Sequence, residues 1–217
     1  MHIETDNGTH LLIDSSPDLR QQLLANNITK IDALLVTHEH NDHMIGLDDL
    51  RPINFMQGTE MPLHALPRVI NDIESRFKYI FSGNPYPGAP RITTFPIEND
   101  ELHILGENIS CIHLMHGPLP ILGFRIGDFA YLTDIKTINA EEKLKLKGLK
   151  LLITSALRKQ DHFAHMNLEE SLKFIETIGP ESAYLTHMGH QLGSHDELLA
   201  SLPANVFPAF DGQVLVL

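Results

Sequence analysis

Cysteine, tryptophan, basic residues and long apolar runs are all scarce or missing in this chain of 217 residues. The one cysteine, Cys111, excludes an internal disulfide framework and predicts a reducing, cytoplasmic compartment. The 16 Lys and Arg residues stand against 28 Asp and Glu, giving a formal net charge of −12, which argues against a surface that binds large nucleic acids. A small anionic substrate stays compatible, because a bound metal ion can outweigh the net charge locally. No apolar run approaches the roughly 20 residues that span a bilayer, so no membrane partner is expected.

Short apolar runs alternate with helix-like segments along the whole chain. Residues 31–37 form an apolar run of strand length, and residues 168–178 form a helix-like segment that ends at Gly179-Pro180. Asn7-Gly8 is a strong hairpin signal. This order predicts an α/β fold whose helices cover the sheets, in a single domain over residues 1–217. Residues 206–210 and 214–217 are predicted to close the chain as a final hairpin.

Histidine is abundant, with 14 copies, and three of these lie in one short segment. His38 and His40 stand two positions apart, directly after the apolar run that ends at Val36, and Asp42 and His43 follow. An extended or turning backbone can aim the first two imidazoles at one point and the next two side chains at a second. Imidazole nitrogen with some carboxylate oxygen is the ligand set that borderline divalent metals prefer. The segment therefore predicts a metal site.

The order His38-Glu39-His40-Asn41-Asp42-His43 resembles the signature of the metallo-β-lactamase-fold hydrolases. The resemblance implies an α/β, four-layer αββα sandwich with two divalent ions, zinc above all and manganese or iron as alternatives. His40 stands where diiron relatives that reduce oxygen carry glutamate, so the resemblance implies a hydrolytic site.

The resemblance also implies further ligands at the ends of later strands. His116, Asp134 and His187 occur in the expected order. They would complete one site of His38, His40 and His116 and a second of Asp42, His43 and His187, with Asp134 between the two ions.

Longer segments resemble one branch of this family, the phosphoribosyl cyclic phosphate phosphodiesterases, which are close to ribonuclease Z. The matching segments are residues 14–20, 46–51, 156–170 and 210–212. That branch usually starts with one more strand and often carries structural cysteines, and this sequence shows neither. Either the chain lacks this first strand or its start is misassigned, and a missing strand would expose a sheet edge that favours a homodimer.

The branch implies hydrolysis of a small phosphodiester, such as a cyclic ribose phosphate or a nucleotide, by a hydroxide that bridges the metals. His165 matches the histidine that protonates the leaving oxygen, and His162 competes for that role. The predicted catalytic residues are His165 and Asp42, the latter also a metal ligand. The predicted substrate contacts are Arg158, His190 and His162.

Other readings of these residues stay open. The ligands also suit tRNA 3′ processing or thioester and lactone hydrolysis, and a metal-dependent binding module is a non-enzymatic alternative. Asp14 either orients a ligand imidazole or is an exposed turn residue. Arg51 either binds a substrate phosphate or, more simply, pairs with Asp48 or Asp49.

Overall fold

The computed structural model describes residues 1–217, which fall into two compact units. The first unit comprises Met1–Asn99 with His103–Glu107, and the second comprises Asp100–Leu102 with Asn108–Leu217.

The first unit is built on a five-stranded sheet in the order β1-β2-β3-β4-β5. The strands are β1 His2–Glu4, β2 His10–Ile13, β3 Ala33–Leu35, β4 Met61–Ala65 and β5 Ile92–Pro96. β1 pairs antiparallel with β2, and the remaining pairs are parallel. The β1–β2 turn contains Gly8 at φ 73°, a conformation that glycine adopts without a steric penalty. Central β3 is buried throughout, as its continuous apolar sequence predicts.

Several helices of the first unit begin or end at residues that favour helix termini. They are α1 Leu19–Ala25, α2 Asn41–Met44, a 3-10 helix Ile45–Leu50, α3 Arg51–Gln57, α4 Pro67–Arg76 and α5 Lys78–Phe81. α4 starts at Pro67, whose missing N–H costs nothing in a first turn. Its Val69, Ile70 and Ile73 recur at helical spacing and are buried in the core of this unit. α3 ends at Gly58, which takes the left-handed conformation typical of that position.

A seven-stranded sheet in the order β12-β11-β10-β9-β8-β7-β6 forms the scaffold of the second unit. Its strands are β6 Glu101–Ile104, β7 Glu107–His116, β8 Leu119–Ile126, β9 Phe129–Leu132, β10 Leu151–Ser155, β11 Ser182–Thr186 and β12 Val206–Pro208. β7, β8 and β9 form an antiparallel meander, and β9 to β12 run parallel. Helices α6 Ala140–Leu144, α7 Leu168–Ile178 and α8 His195–Ser201 connect the parallel strands.

Capping explains where the helices of the second unit start. Asn167 and Glu170 form a reciprocal capping box at α7, and Ser194 and Glu197 form another at α8. α7 ends at Gly179 with φ 66° and packs Phe174 into the core of this unit. This helix matches the one predicted over residues 168–178.

The predicted final hairpin is wrong. β12 covers only Val206–Pro208 and pairs parallel with β11, and residues 214–217 belong to no strand. Val214 and Val216 are 80% and 93% exposed, so the apolar run at 214–217 buries no face that would hold it in a sheet. No helix in the structure combines the length and the apolar character that crossing a membrane requires.

Candidate metal centre

Candidate site residues follow strand ends and adopt unfavourable backbone conformations. Asp14 follows β2, Asp134 comes two residues after β9, and His187 follows β11. Their φ angles are 60°, 55° and 51°, and they make up three of the five non-glycine residues with positive φ. Such conformations cost about 1–3 kcal/mol each and persist where the surrounding structure imposes them, which is common at functional sites.

Asp14 is a buried hydrogen-bond acceptor for the ligand loop of the first unit, residues 37–43. Its Oδ1 accepts from the Thr37 backbone N–H at 2.8 Å, and its Oδ2 accepts from the Thr37 hydroxyl at 2.9 Å and from His43 Nδ1 at 2.8 Å. The last contact fixes the tautomer of His43 with its lone pair on Nε2. The structure therefore favours the orienting role for Asp14 over the exposed turn residue, since only 7% of its surface is accessible.

His38 is oriented in a similar way by its neighbour in the sequence. The Thr37 hydroxyl gives its proton to Asp14 and lies 3.0 Å from His38 Nδ1, so it accepts from that nitrogen. The lone pair of His38 then lies on Nε2, which is 3.0 Å from His40 Nδ1. His43 Nε2 and Asp42 Oδ2 form a second close pair, 3.4 Å apart.

These separations fit ligand atoms that share a metal ion. In a tetrahedral site with metal–nitrogen distances of about 2.0–2.1 Å, neighbouring ligand atoms lie roughly 3.3 Å apart. The 3.0 Å pair and the 3.4 Å pair of the ligand loop both lie near this value.

Two arginines of α4 hold the residues between the ligands. Arg68 donates to the Glu39 carboxylate, and Arg76 donates to Oδ1 of Asn41. Arg76 also pairs with Asp72 one turn earlier, at 2.7 Å. Sequence reasoning did not single out these arginines, because the contacts join positions 29 and 35 residues apart and leave no local pattern.

The second unit brings His116, Asp134, His165 and His187 together. His116 Nδ1 donates to the Ala164 carbonyl at 2.9 Å, which places its lone pair on Nε2. Asp134 is buried, and its Oδ1 accepts from the Thr133 hydroxyl at 2.7 Å. The same oxygen lies 3.3 Å from His187 Nε2, again the spacing of two ligands of one ion.

His165 lies within this group as a buried imidazole. Its Nδ1 is 3.9 Å from Asp134 Oδ2, and its ring centroid is 4.3 Å from that of His116 and 5.1 Å from that of His187. Burial lowers the pKa of His165 to about 4, with Asp134 opposing the shift and the neighbouring histidines adding to it. The free imidazole is therefore neutral near pH 7.

The three predicted substrate contacts have other contacts in the structure. His162 Nδ1 accepts from the backbone N–H groups of Ala164 and His165, both at 3.2 Å. The Arg158 guanidinium donates to carbonyls of its own loop, at Gln160 and Asp161. His190 is exposed at the start of a 3-10 helix, His190–Leu192. Their substrate roles stay predictions.

Arg51 forms no ion pair with Asp48 or Asp49, as its simpler interpretation predicted it would. Its guanidinium donates to the Tyr86 hydroxyl at 3.3 Å and to the Gly88 carbonyl at 3.2 Å. Asp48 instead accepts from the Tyr79 hydroxyl at 2.8 Å. The tyrosines carried no motif in the sequence.

Comparison of the sequence with known protein families shows which family the chain belongs to. A family model described as a β-lactamase superfamily domain matches residues 9–188. The chain belongs to the metallo-β-lactamase-fold hydrolases. The predicted α/β class and the resemblance that led to this fold are confirmed.

Solved structures of this superfamily align with the entire chain. A crystal structure of a diphosphatase from the PhnP family is 33% identical, with a TM-score of 0.91 over 100% of this chain and 83% of that one. Zinc-bound PqqB from Methylobacterium extorquens is 18% identical, with a TM-score of 0.80 over 100% and 86%, and shares the fold.

Curated relatives of this superfamily member are longer proteins. An octanoyltransferase from Porphyromonas gingivalis is 41% identical over 212 residues, which are 97% of this chain and 43% of that protein. Ribonuclease Z from Staphylococcus carnosus is 34% identical over 122 residues, which are 53% of this chain and 38% of that protein. The chain thus spans about two-fifths of the length of the curated relatives it matches, and more than half of the octanoyltransferase lies outside the match.

Proposed function

We propose that the chain is a metal-dependent phosphodiesterase that uses two divalent ions. His38, His40 and His116 would hold one ion, Asp42, His43 and His187 the other, with Asp134 shared between them. Zinc is the proposed metal, with manganese or iron as alternatives, because the imidazole and carboxylate donors suit all three.

The observation that carries this proposal is the way in which the histidines are oriented. His38, His43 and His116 each engage Nδ1 with a protein acceptor, which directs Nε2 outward as the donor atom. Histidines that bind metals in proteins almost always have such a partner on the second ring nitrogen.

When bound by these residues, two divalent ions would polarise the phosphoryl group and lower the pKa of the attacking water. The remaining steps depend on the protein. Asp14 and Thr37 hold two of the imidazoles in place, as described above. His165 is assigned the proton transfer to the leaving oxygen. Its Nδ1 faces Asp134, so Nε2 would first take up a proton to form the imidazolium, and passing that proton to the leaving oxygen would return His165 to its neutral form.

The relatives support chemistry at phosphorus. The diphosphatase structure aligns over this entire chain at 33% identity, and the ribonuclease Z match covers about half of it. The name octanoyltransferase describes a whole protein of which this chain matches 43%. Acyl transfer or thioester hydrolysis is therefore the competing activity to test.

A substrate panel separates these activities. Purified protein is stripped with a chelator, reloaded with zinc or manganese, and given bis(p-nitrophenyl) phosphate, a p-nitrophenyl ester and a thioester. We expect diester hydrolysis only in the reloaded protein, with two metal equivalents per chain by elemental analysis. His38→Ala and His187→Ala should each lower the metal content, and His103→Gln, at an exposed position, serves as the control. Hydrolysis of the ester or thioester alone would overturn the proposal.

A further inference from the structure

Two exposed tyrosines lie next to each other on the first unit. Tyr79 on α5 is 39% exposed, and Tyr86 in the following loop is 51% exposed. Their ring centroids are 6.5 Å apart and the ring planes are inclined by 26°. This separation is near the upper end of the 4.5–7 Å that is usual for aromatic pairs. The two rings therefore cover little of each other, and their flat faces stay accessible. We call Tyr79 and Tyr86 the tyrosine platform.

The platform is held in place by neighbouring polar groups. Asp48 accepts from the Tyr79 hydroxyl, and Arg51 donates to the Tyr86 hydroxyl and to the carbonyl of Gly88. A Cβ atom added at Gly88 would lie 2.7 Å from Cε2 of Tyr86, so glycine allows this ring to pack on the loop backbone. Ordering the rings before a ligand arrives lowers the entropy cost of stacking.

The platform is joined to the ligand loop through two short helices that follow each other directly in the chain. Asp42 and His43 lie on α2, which continues directly into the 3-10 helix that contains Asp48. Asp48 comes five positions after His43, and five residues span at most roughly 18 Å of chain. Tyr79 is thus anchored, through its hydrogen bond to Asp48, within six positions of two proposed metal ligands, Asp42 and His43.

Charges near the platform favour an uncharged ring over a phosphate. One charged group of each sign contacts the platform, Asp48 at Tyr79 and Arg51 at Tyr86, and the hydroxyl of Tyr79 is held neutral because burial and the bond to Asp48 raise its pKa. The carboxylate and the guanidinium balance each other, so no net positive charge attracts an anionic group to the rings. A planar base is uncharged and stacks well on tyrosine.

We propose that the tyrosine platform binds the base of a nucleotide-like phosphodiester, with its phosphate directed toward the ligand loop. This inference rests on the proposed phosphodiesterase function and names its substrate class. It predicts that the protein prefers a ligand with a base over the same sugar phosphate without one.

Binding of adenosine 5′-monophosphate and ribose 5-phosphate to the metal-loaded protein tests this inference by calorimetry. Both are monoesters, so neither is a substrate for diester hydrolysis. Stacking of one base on an aromatic side chain contributes about 5- to 150-fold in affinity, and we expect the nucleotide to bind more tightly by a factor in this range. Tyr79→Ala and Tyr86→Ala should each lower that preference, and Tyr86→Phe should retain it because the ring remains.

Phe95→Ala provides the matched control, since Phe95 is a 43% exposed aromatic residue on β5 of the same unit. Equal affinity of the wild type for both ligands, or an unchanged preference in Tyr86→Ala, would overturn the inference. If Tyr86→Ala instead converts a dimer to a monomer in light scattering and leaves the preference intact, the platform is a contact between copies and the inference fails. If a preference that depends on Tyr86 is found in a protein without diester hydrolysis, the platform stands and the proposed function fails.

Discussion

Asp14 and His43, 29 positions apart, are joined by a hydrogen bond of 2.8 Å between a carboxylate oxygen and Nδ1. Both residues are buried, and Asp14 has a positive φ of 60°. Asp14 accepts hydrogen bonds from two residues of the ligand loop, Thr37 and His43. It therefore fixes the direction of the His43 imidazole before a metal ion binds. Metal affinity should therefore depend on Asp14 although it is not itself a proposed ligand.

Asp14→Asn should raise the zinc dissociation constant by about 10- to 100-fold, the range typical for loss of such an orienting carboxylate. Asparagine tolerates positive φ, so the backbone is retained, and the measurement reports the loss of the charge together with one acceptor oxygen. Competition with a chromophoric chelator gives the constant. Asp18→Asn, at an exposed position before α1, is the control. Equal zinc affinity in both variants would show that Asp14 does not orient the ligand.

Gly46→Ala should destabilise the segment that follows the ligand loop. A Cβ atom at this position would lie 2.2 Å from the Ser16 carbonyl oxygen, a backbone atom that cannot swing away. The Ser15 carbonyl accepts from the Gly46 N–H at 3.0 Å, and the Ser15 N–H donates to the His43 carbonyl at 2.7 Å. The added methyl group would push Ser15, the neighbour of Asp14, away from helix α2.

We expect Gly46→Ala to lose about 1–3 kcal/mol of unfolding free energy in urea and to bind zinc more weakly. Gly83→Ala is a matched control, because its added Cβ meets nothing within 4 Å. If both variants unfold at the same urea concentration, this close approach has no energetic consequence.

Much of the candidate site could be predicted because its signals are local. The ligand spacing at 38–43 and the positions of His116, Asp134 and His187 near strand ends are visible in short stretches of sequence. The support of these residues was less visible. Arg68 and Arg76 reach Glu39 and Asn41 only through the packing of α4, which no spacing rule encodes.

The elements of the fold likewise could be predicted where their sequence signals are local. Helix α7 has periodic apolar residues between a capping residue at its start and a glycine at its end, and its bounds match those predicted over residues 168–178. The short helices over 41–57 lack a long apolar repeat and were not predicted. The final hairpin was wrong because an apolar run does not specify its partner: β12 pairs parallel with β11, and Val214 and Val216 stay exposed outside any strand.

Arg68→Ala should weaken the ligand loop of the first unit. The ion pair of Arg68 with Glu39 is partly exposed, with 35% and 19% of the side chains accessible, so we expect a stability loss of only about 0.5–1 kcal/mol. Zinc affinity should fall as well, since Glu39 lies between His38 and His40. Arg68→Lys should recover part of both losses. Arg20→Ala, at an exposed position on α1, reports the effect of removing an arginine elsewhere. Wild-type zinc affinity in Arg68→Ala would contradict the positioning role.

His64 should make stability depend on pH in the mildly acidic range. Burial lowers its pKa below the ordinary 6.5, and its ring stacks on Phe95 with centroids 5.1 Å apart. The unfolded chain therefore binds the proton more readily than the folded protein, and stability is lost as the pH falls below about 6.5. His64→Gln should lose less unfolding free energy between pH 7 and pH 5 than the wild type. Urea titrations at both pH values measure the difference, with His103→Gln as control. An unchanged pH dependence in His64→Gln would exclude His64 as its source.

His165→Ala should lower turnover of a phosphodiester by about 10²- to 10⁴-fold, the usual contribution of a positioned general acid. The metal content by elemental analysis should remain at the wild-type value, because His165 is not among the proposed ligands. His162→Ala is the informative comparison, since its Nδ1 supports the backbone of Ala164 and His165. A loss of turnover in His162→Ala alone would transfer the acid role to that residue. A substrate with a good leaving group, such as bis(p-nitrophenyl) phosphate, needs little protonation, so His165→Ala should impair it far less than an alkyl diester. If His165→Ala lowers turnover of the alkyl diester and of bis(p-nitrophenyl) phosphate by the same factor, His165 is not the general acid that protonates the leaving oxygen.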